Sequence, residues 1–120
     1  MKIMIVDDSR AMRSIVRRSL RKAGFGGHDV VEAHNGAAAL EMVGQDPPDL
    51  ILADWNMPEM SGIDLLRALR AAGNAVSFGF ITTEGTEAMR KLASDAGARF
   101  LLAKPFTPED MAKQLEGLIK

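Results

Sequence analysis

Five short apolar runs alternate strictly with five helix-like stretches, and that pattern predicts an α/β domain with a parallel sheet covered by helices on both faces. The runs are Lys2–Val6, Asp29–Ala33, Leu50–Ala53, residues 76–82 and Phe100–Ala103. Most are continuously apolar, the mark of strands buried on both faces. No linker, repeat or low-complexity segment interrupts them, so right-handed crossovers deliver every carboxyl end to one rim.

The first run ends on two acids, Asp7 and Asp8, and Ser9 then has the form of a helix N-cap. Met12, Ile15, Val16, Ser19, Leu20 and Ala23 share one face of the helix that follows. Arg13, Arg17, Arg18, Arg21 and Lys22 share the other, and Gly24 or Gly26 ends it. The basic face suits solvent. After the second run, Asn35 and Gly36 open an alanine-rich helix, and Asp46-Pro47-Pro48-Asp49 is a rigid turn into the third strand. Asp54 closes that strand, Pro58 and Gly62 shape the turn beyond it, and Ser61 caps a helix that buries Ile63, Leu66 and Leu69 until Gly73 stops it. Within the fourth run, Gly79 predicts a bulge or a close backbone approach. Glu84-Gly85-Thr86 leads into a helix with Ala88, Met89, Leu92 and Ala96 on one side, closed by Gly97. The last helix opens with Thr107 as cap, Pro108 at its first position and Asp110 at its third, and carries a stripe of Met111, Leu115, Leu118 and Ile119.

At 120 residues the chain forms one domain, 1–120, with room for a real core. A hydrophobic content of 47% and a net charge of -1 describe an ordinary soluble protein without the basic excess that favours nucleic acid or anionic membrane. With no cysteine there is no disulfide or thiol nucleophile. There is no membrane-length apolar run and no secretory leader pattern, so a cytoplasmic location is expected. The eight methionines suit core filling, with Met89 within reach of a partner surface. His28 and His34 lie away from any cluster of further ligands.

The rim gathers Asp7 and Asp8, Asp54, Thr82 and Lys104 from four different strands. A scatter of surface caps would be the bland explanation. Carboxylates brought together repel: at about 4 Å and an effective dielectric near 20, each charged pair costs roughly 4 kcal/mol. Such a site raises a carboxyl pKa or recruits a cation. Oxygen ligands without His or Cys favour Mg²⁺ over zinc. Adding an ammonium and a hydroxyl gives the parts phosphoryl transfer needs, with Asp54 as nucleophile, Asp7 and Asp8 holding the metal and the Asn56 carbonyl close by.

The motifs Val6-Asp7-Asp8-Ser9, Asp54-Trp55-Asn56-Met57-Pro58 with Gly62, Thr82 and Lys104-Pro105-Phe106-Thr107 span nearly the whole chain. In that order and spacing the chain resembles the receiver domain of two-component response regulators, especially its single-domain, CheY-like chemotaxis branch. The resemblance implies a flavodoxin-like (βα)5 fold with strand order 2-1-3-4-5. It makes Asp54 the phospho-acceptor, Asp8 a direct Mg²⁺ ligand, Asp7 a support through water and the Asn56 carbonyl a further ligand. Lys104 and Thr82 would hold the phosphoryl group, Thr83 would offer a backbone N–H, and Asn56 and Glu84 side chains would set how fast the acyl phosphate hydrolyses. A cis Lys104–Pro105 bond is also implied. One departure stands out. Three residues before Lys104 the family often carries an aromatic; here Leu101 stands there. Phe100 is one residue off and faces the other way, and there is no tyrosine. The aromatic-rotation readout is therefore not expected, which leaves movement of Thr82 and its loop.

The implied partners are a histidine kinase or phosphotransfer protein and, through the face of residues 86–120, an output protein such as a flagellar switch component; a monomer is expected. A phosphorelay shuttle is the alternative. A Mg²⁺-dependent aspartyl-phosphate hydrolase would want an acid where Asn56 stands. A flavin module would want a hydroxyl- and glycine-rich loop where Asp7 and Asp8 would repel phosphate. The chain is thus read as a switch and not an enzyme, with Trp55 beside Asp54 as a built-in reporter.

Overall fold

The computed structural model describes residues 1–118. Five strands, β1 (Lys2–Val6), β2 (Asp29–Ala33), β3 (Leu50–Ala53), β4 (Ser77–Thr82) and β5 (Phe100–Ala103), form one parallel sheet in the order β2-β1-β3-β4-β5. Between and after them come α1 (Arg10–Leu20), α2 (Gly36–Gln45), α3 (Gly62–Ala71), α4 (Glu87–Asp95) and α5 (Pro108–Leu115). Each N-cap is a short polar side chain that accepts from the third residue on: Ser9, Asn35, Ser61, Thr86 and Thr107. At α5, Asp110 returns the bond to the Thr107 amide, completing a capping box behind Pro108.

Strand alternation splits the core in two. Met4, Val6, Ile51, Ala53, Phe78, Phe80 and Leu101 meet Ala39 and Val43 of α2, Leu65, Leu66 and Leu69 of α3, and Ala93 of α4. Ile3, Ile5, Leu50, Leu52, Ile81, Phe100 and Leu102 meet Val16 and Leu20 of α1 and Met111 and Leu115 of α5. The strand pattern predicts helices on both faces, and three cover one and two the other. No helix among the described residues is long and apolar enough to cross a membrane.

Several local expectations need correction. β4 starts at Ser77 rather than residue 76. The register through Gly79 is regular, without a bulge, and the close neighbour is the ring of Phe100, into which a Cβ at Gly79 would collide. α1 carries on past Leu20 into a wider turn over Arg21–Phe25, and it breaks there at Gly24, whose left-handed φ of 99° makes it the stop among the two expected glycines. Ile15 is 41% exposed, and α4 turns Ala88 and Leu92 outward, burying Ala93 with Met89 and Ala96 beside it. α5 ends at Leu115, so Leu118 packs from the turn beyond it, and Ile119 lies outside the described residues. Arg13 and Arg17 do not extend into solvent but fold back onto Glu32 of β2.

Candidate functional site

Three strands fix the rim by lending the ladder one bond beyond their last residues. The Asp7 amide donates to the Ala33 carbonyl (3.2 Å), that of Asp54 to Val6 (2.9 Å) and that of Lys104 to Thr82 (2.7 Å). Because β1 and β3 are neighbours, Asp7 and Asp54 emerge side by side. The Lys104–Pro105 peptide is cis, as the resemblance implies. Gly62 shapes the loop after β3: its amide donates to the Trp55 carbonyl (2.8 Å), and a Cβ there would collide with the Asp54 carbonyl and the Phe80 ring. Only glycine fits that approach.

Carboxylate oxygens of Asp7, Asp8 and Asp54 lie within 4.8 Å of one another, the one group of candidate metal ligands among the described residues. Lys104 Nζ stands 3.7 Å from Asp7 Oδ2 and 3.6 Å from Asp54 Oδ1. Those separations are ionic contacts, too long for hydrogen bonds. Asp7 is 4% exposed, and its Oδ1 accepts the Ser9 amide at 2.8 Å. Burial pushes the Asp7 carboxyl up, and the charges of Asp54 and Asp8 add to that, against the Ser9 amide and Lys104. Burial also pushes Asp54 up, with Asp8 adding to it, while Lys104 and the amides of Trp55 and Asn56 pull it down. Two acids held above their ordinary range beside an exposed third are suited to a divalent cation, whose charge would reverse the repulsion. The donor set is all oxygen, which fits Mg²⁺.

Thr82 is fully buried, and its hydroxyl accepts the Glu84 amide (3.4 Å) inside its own loop. Thr83, Glu84 and Asn56 are exposed. Trp55 is half-buried, its ring 4.8 Å from that of Phe80. His28 lies against Phe25 and His34 is exposed, both outside the acid group. A shallow, mostly apolar depression lies beside Lys104, lined by Met12, Ile15, Thr83, Pro105 and Phe106. Arg13 was missed from sequence: its Nη1 donates to the Asp7 carbonyl at 2.6 Å. Its position one turn after the Ser9 cap was the available signal, since helical side chains lean back toward the N-terminus.

Residues 3–116 match the model of the response regulator receiver domain. The chain is 40% identical over 119 residues to the chemotaxis protein CheY1 of Helicobacter pylori, covering 97% of this chain and 94% of that one. It is 37% identical over 120 residues to the response regulator MprA of Mycobacterium avium, where it covers all of this chain but spans only 51% of MprA. The structure of the chemotaxis protein CheY4 of Vibrio cholerae superposes with a TM-score of 0.86 at 32% identity, covering 98% of both chains.

Proposed function

This chain belongs to the response regulator receiver family, as a CheY-like receiver, and from that premise we propose that it is a Mg²⁺-dependent switch whose Asp54 takes a phosphoryl group from a histidine kinase or phosphotransfer protein. The single observation that carries the proposal is the convergence of three carboxylates and one lysine on the ends of β1, β3 and β5. Asp8, Asp54 and the Asn56 carbonyl would hold the metal, with Asp7 supporting through water. Bound there, Mg²⁺ would neutralise charge on the phosphoryl oxygens.

An Asp54 carboxylate oxygen forms the new bond to phosphorus as the bond to the donor's imidazole nitrogen breaks in line, and the imidazole leaves with that electron pair. Lys104 then pairs with a phosphoryl oxygen. Thr82 gives up the Glu84 amide, turns and donates its hydroxyl to the same group, while the Thr83 amide offers a second donor. The cost of rotating Thr82 is met only once charge has appeared on residue 54, so occupancy of the acceptor shifts the β4–α4 loop. The donor's approach is over the depression beside Lys104. Output is by protein contact through α4, β5 and α5, in a chemotaxis or flagellar motor pathway; the likeness to two chemotaxis proteins over nearly their full lengths supports that choice.

Incubation with phosphoramidate and Mg²⁺ tests the chemistry. We expect one acid-stable, base-labile phosphate per chain, absent in Asp54→Asn and in EDTA, with slow loss afterwards. Rapid multiple turnover on phosphate esters would instead make the protein a hydrolase.

A further inference from the structure

Arg13 belongs to the polar side of α1, yet its side chain is only 14% exposed. The α1 turn that begins at Ser9 aims it back over the tip of β1. There Nη1 donates to the Asp7 carbonyl (2.6 Å) and Nε to Glu32 Oε1 (2.9 Å). We propose that Arg13 is a positioning residue for the Mg²⁺ site, holding the Asp7–Asp8 peptide so that the Asp8 carboxylate is aimed at the cation. This rests on the proposal above that Asp8 is a metal ligand.

The carbonyl that Arg13 grips belongs to the peptide joining the two acids. A peptide is a rigid plane, so fixing its oxygen constrains the last backbone angle of Asp7 and the first of Asp8. The Asp7 side chain has its own restraints, the Ser9 amide and Lys104. Asp8 is exposed, and no hydrogen bond or ion pair of its carboxylate occurs among the described residues. Its aim therefore depends on its backbone.

Glu32 lessens the repulsion between an arginine placed here and a cation. Partial burial alone would raise the Glu32 carboxyl, but hydrogen bonds from Arg17 and Arg13, together with their charges, hold it below its ordinary value. It stays ionised and offsets part of the charge of the two guanidiniums that share it, so what Arg13 adds at the site is chiefly direction. Arg17 is the internal control. It binds the same Glu32 (2.8 Å) and reaches the Val30 carbonyl (3.3 Å), but does not touch Asp7.

The test is a Mg²⁺ titration followed by Trp55 emission in the full chain, its Arg13→Ala, Arg13→Lys and Arg17→Ala variants, with thermal unfolding of each in EDTA. Groups that orient metal ligands typically account for a factor of about 10–100 in affinity. We expect Arg13→Ala to weaken Mg²⁺ about tenfold, Arg13→Lys to recover part of that, and Arg17→Ala to bind like wild type although both alanine variants melt earlier. The metal-free Asp8 amide resonance should move in Arg13→Ala and hold still in Arg17→Ala. Equal Mg²⁺ affinity in all four proteins, with both alanine variants merely less stable, would make Arg13 a staple between α1 and β2 and overturn the proposal. If Arg13→Ala does not fold, Arg13→Lys against Arg17→Lys decides by the same two readouts. A wild type that ignores Mg²⁺ would instead overturn the metal site itself, and this inference with it.

Discussion

Lys104 is shared between two acids and hydrogen-bonded to neither, with Nζ 3.6 Å from Asp54 and 3.7 Å from Asp7. An ammonium placed so serves charge that develops later better than charge already present. Lys104→Ala should therefore slow phosphorylation by phosphoramidate by about 10²–10³. Mg²⁺ affinity should hold or rise, because a competing cation has gone; a rate assay paired with a Mg²⁺ titration checks both. Glu32 gives a second prediction. Its folded pKa lies below the ordinary 4.5, so its clasp stabilises the fold fully above that value and is lost as pH falls through the folded value. Asp7 and Asp54 are shifted upward and act in the opposite sense, so the comparison must be with Glu32→Gln. Melting curves from pH 6 down to pH 3 should show the wild type losing its advantage over that variant only below about 4.5. At this scale the acids, Lys104 and the caps were legible because each follows or precedes a strand or helix end that the sequence marks. The Arg13–Asp7 contact was not, because the carbonyl it reaches has no residue-type signature.

The elements show where periodicity informs and where it fails. β3 is an unbroken apolar run and β1 is one after its opening Lys2, and their bounds follow from sequence. On α4 the expected inner residues Met89 and Ala96 do pack against the core, but Ala88 and Leu92 do not. Ala93 takes their place, so the inward stripe is Met89, Ala93 and Ala96, at i, i+4 and i+7, and a helix of 9 residues has too few turns for its periodicity to separate the two stripes. Gly79 had a signal but the wrong partner, since a sequence does not say which side chain crosses from the next strand. Phe100 fills the space over Gly79 on the α1/α5 face, and Leu101 lies on the opposite face beside its register partner Phe80. An aromatic readout through Phe100 is therefore closed off. Gly79→Ala should overpack that contact and destabilise by about 1–3 kcal/mol, read from urea unfolding, with Trp55 still responding to Mg²⁺ because the rim is untouched.

For the whole molecule, strand order is what turns scattered residues into a site. Strict alternation of strands and helices predicts a parallel sheet but leaves several orders open; the order 2-1-3-4-5 came from the resemblance to receivers, and the sheet has it. With β1 flanked by β2 and β3, the crossovers leave a crevice at the carboxyl ends of β1 and β3, where ligands of open α/β sheets bind. Asp7, Asp8 and Asp54 line it, and Lys104 reaches across from β5. Trp55 sits next to Asp54 and against Phe80, so a cation bound by these acids should change its surroundings. The decisive measurement is a Mg²⁺ titration of Trp55 emission in the wild type and in Asp8→Asn. We predict a saturable change in the wild type that is largely lost when Asp8 becomes an amide; no change, or the same titration in both proteins, would contradict the metal site on which the proposed phosphorylation of Asp54 rests.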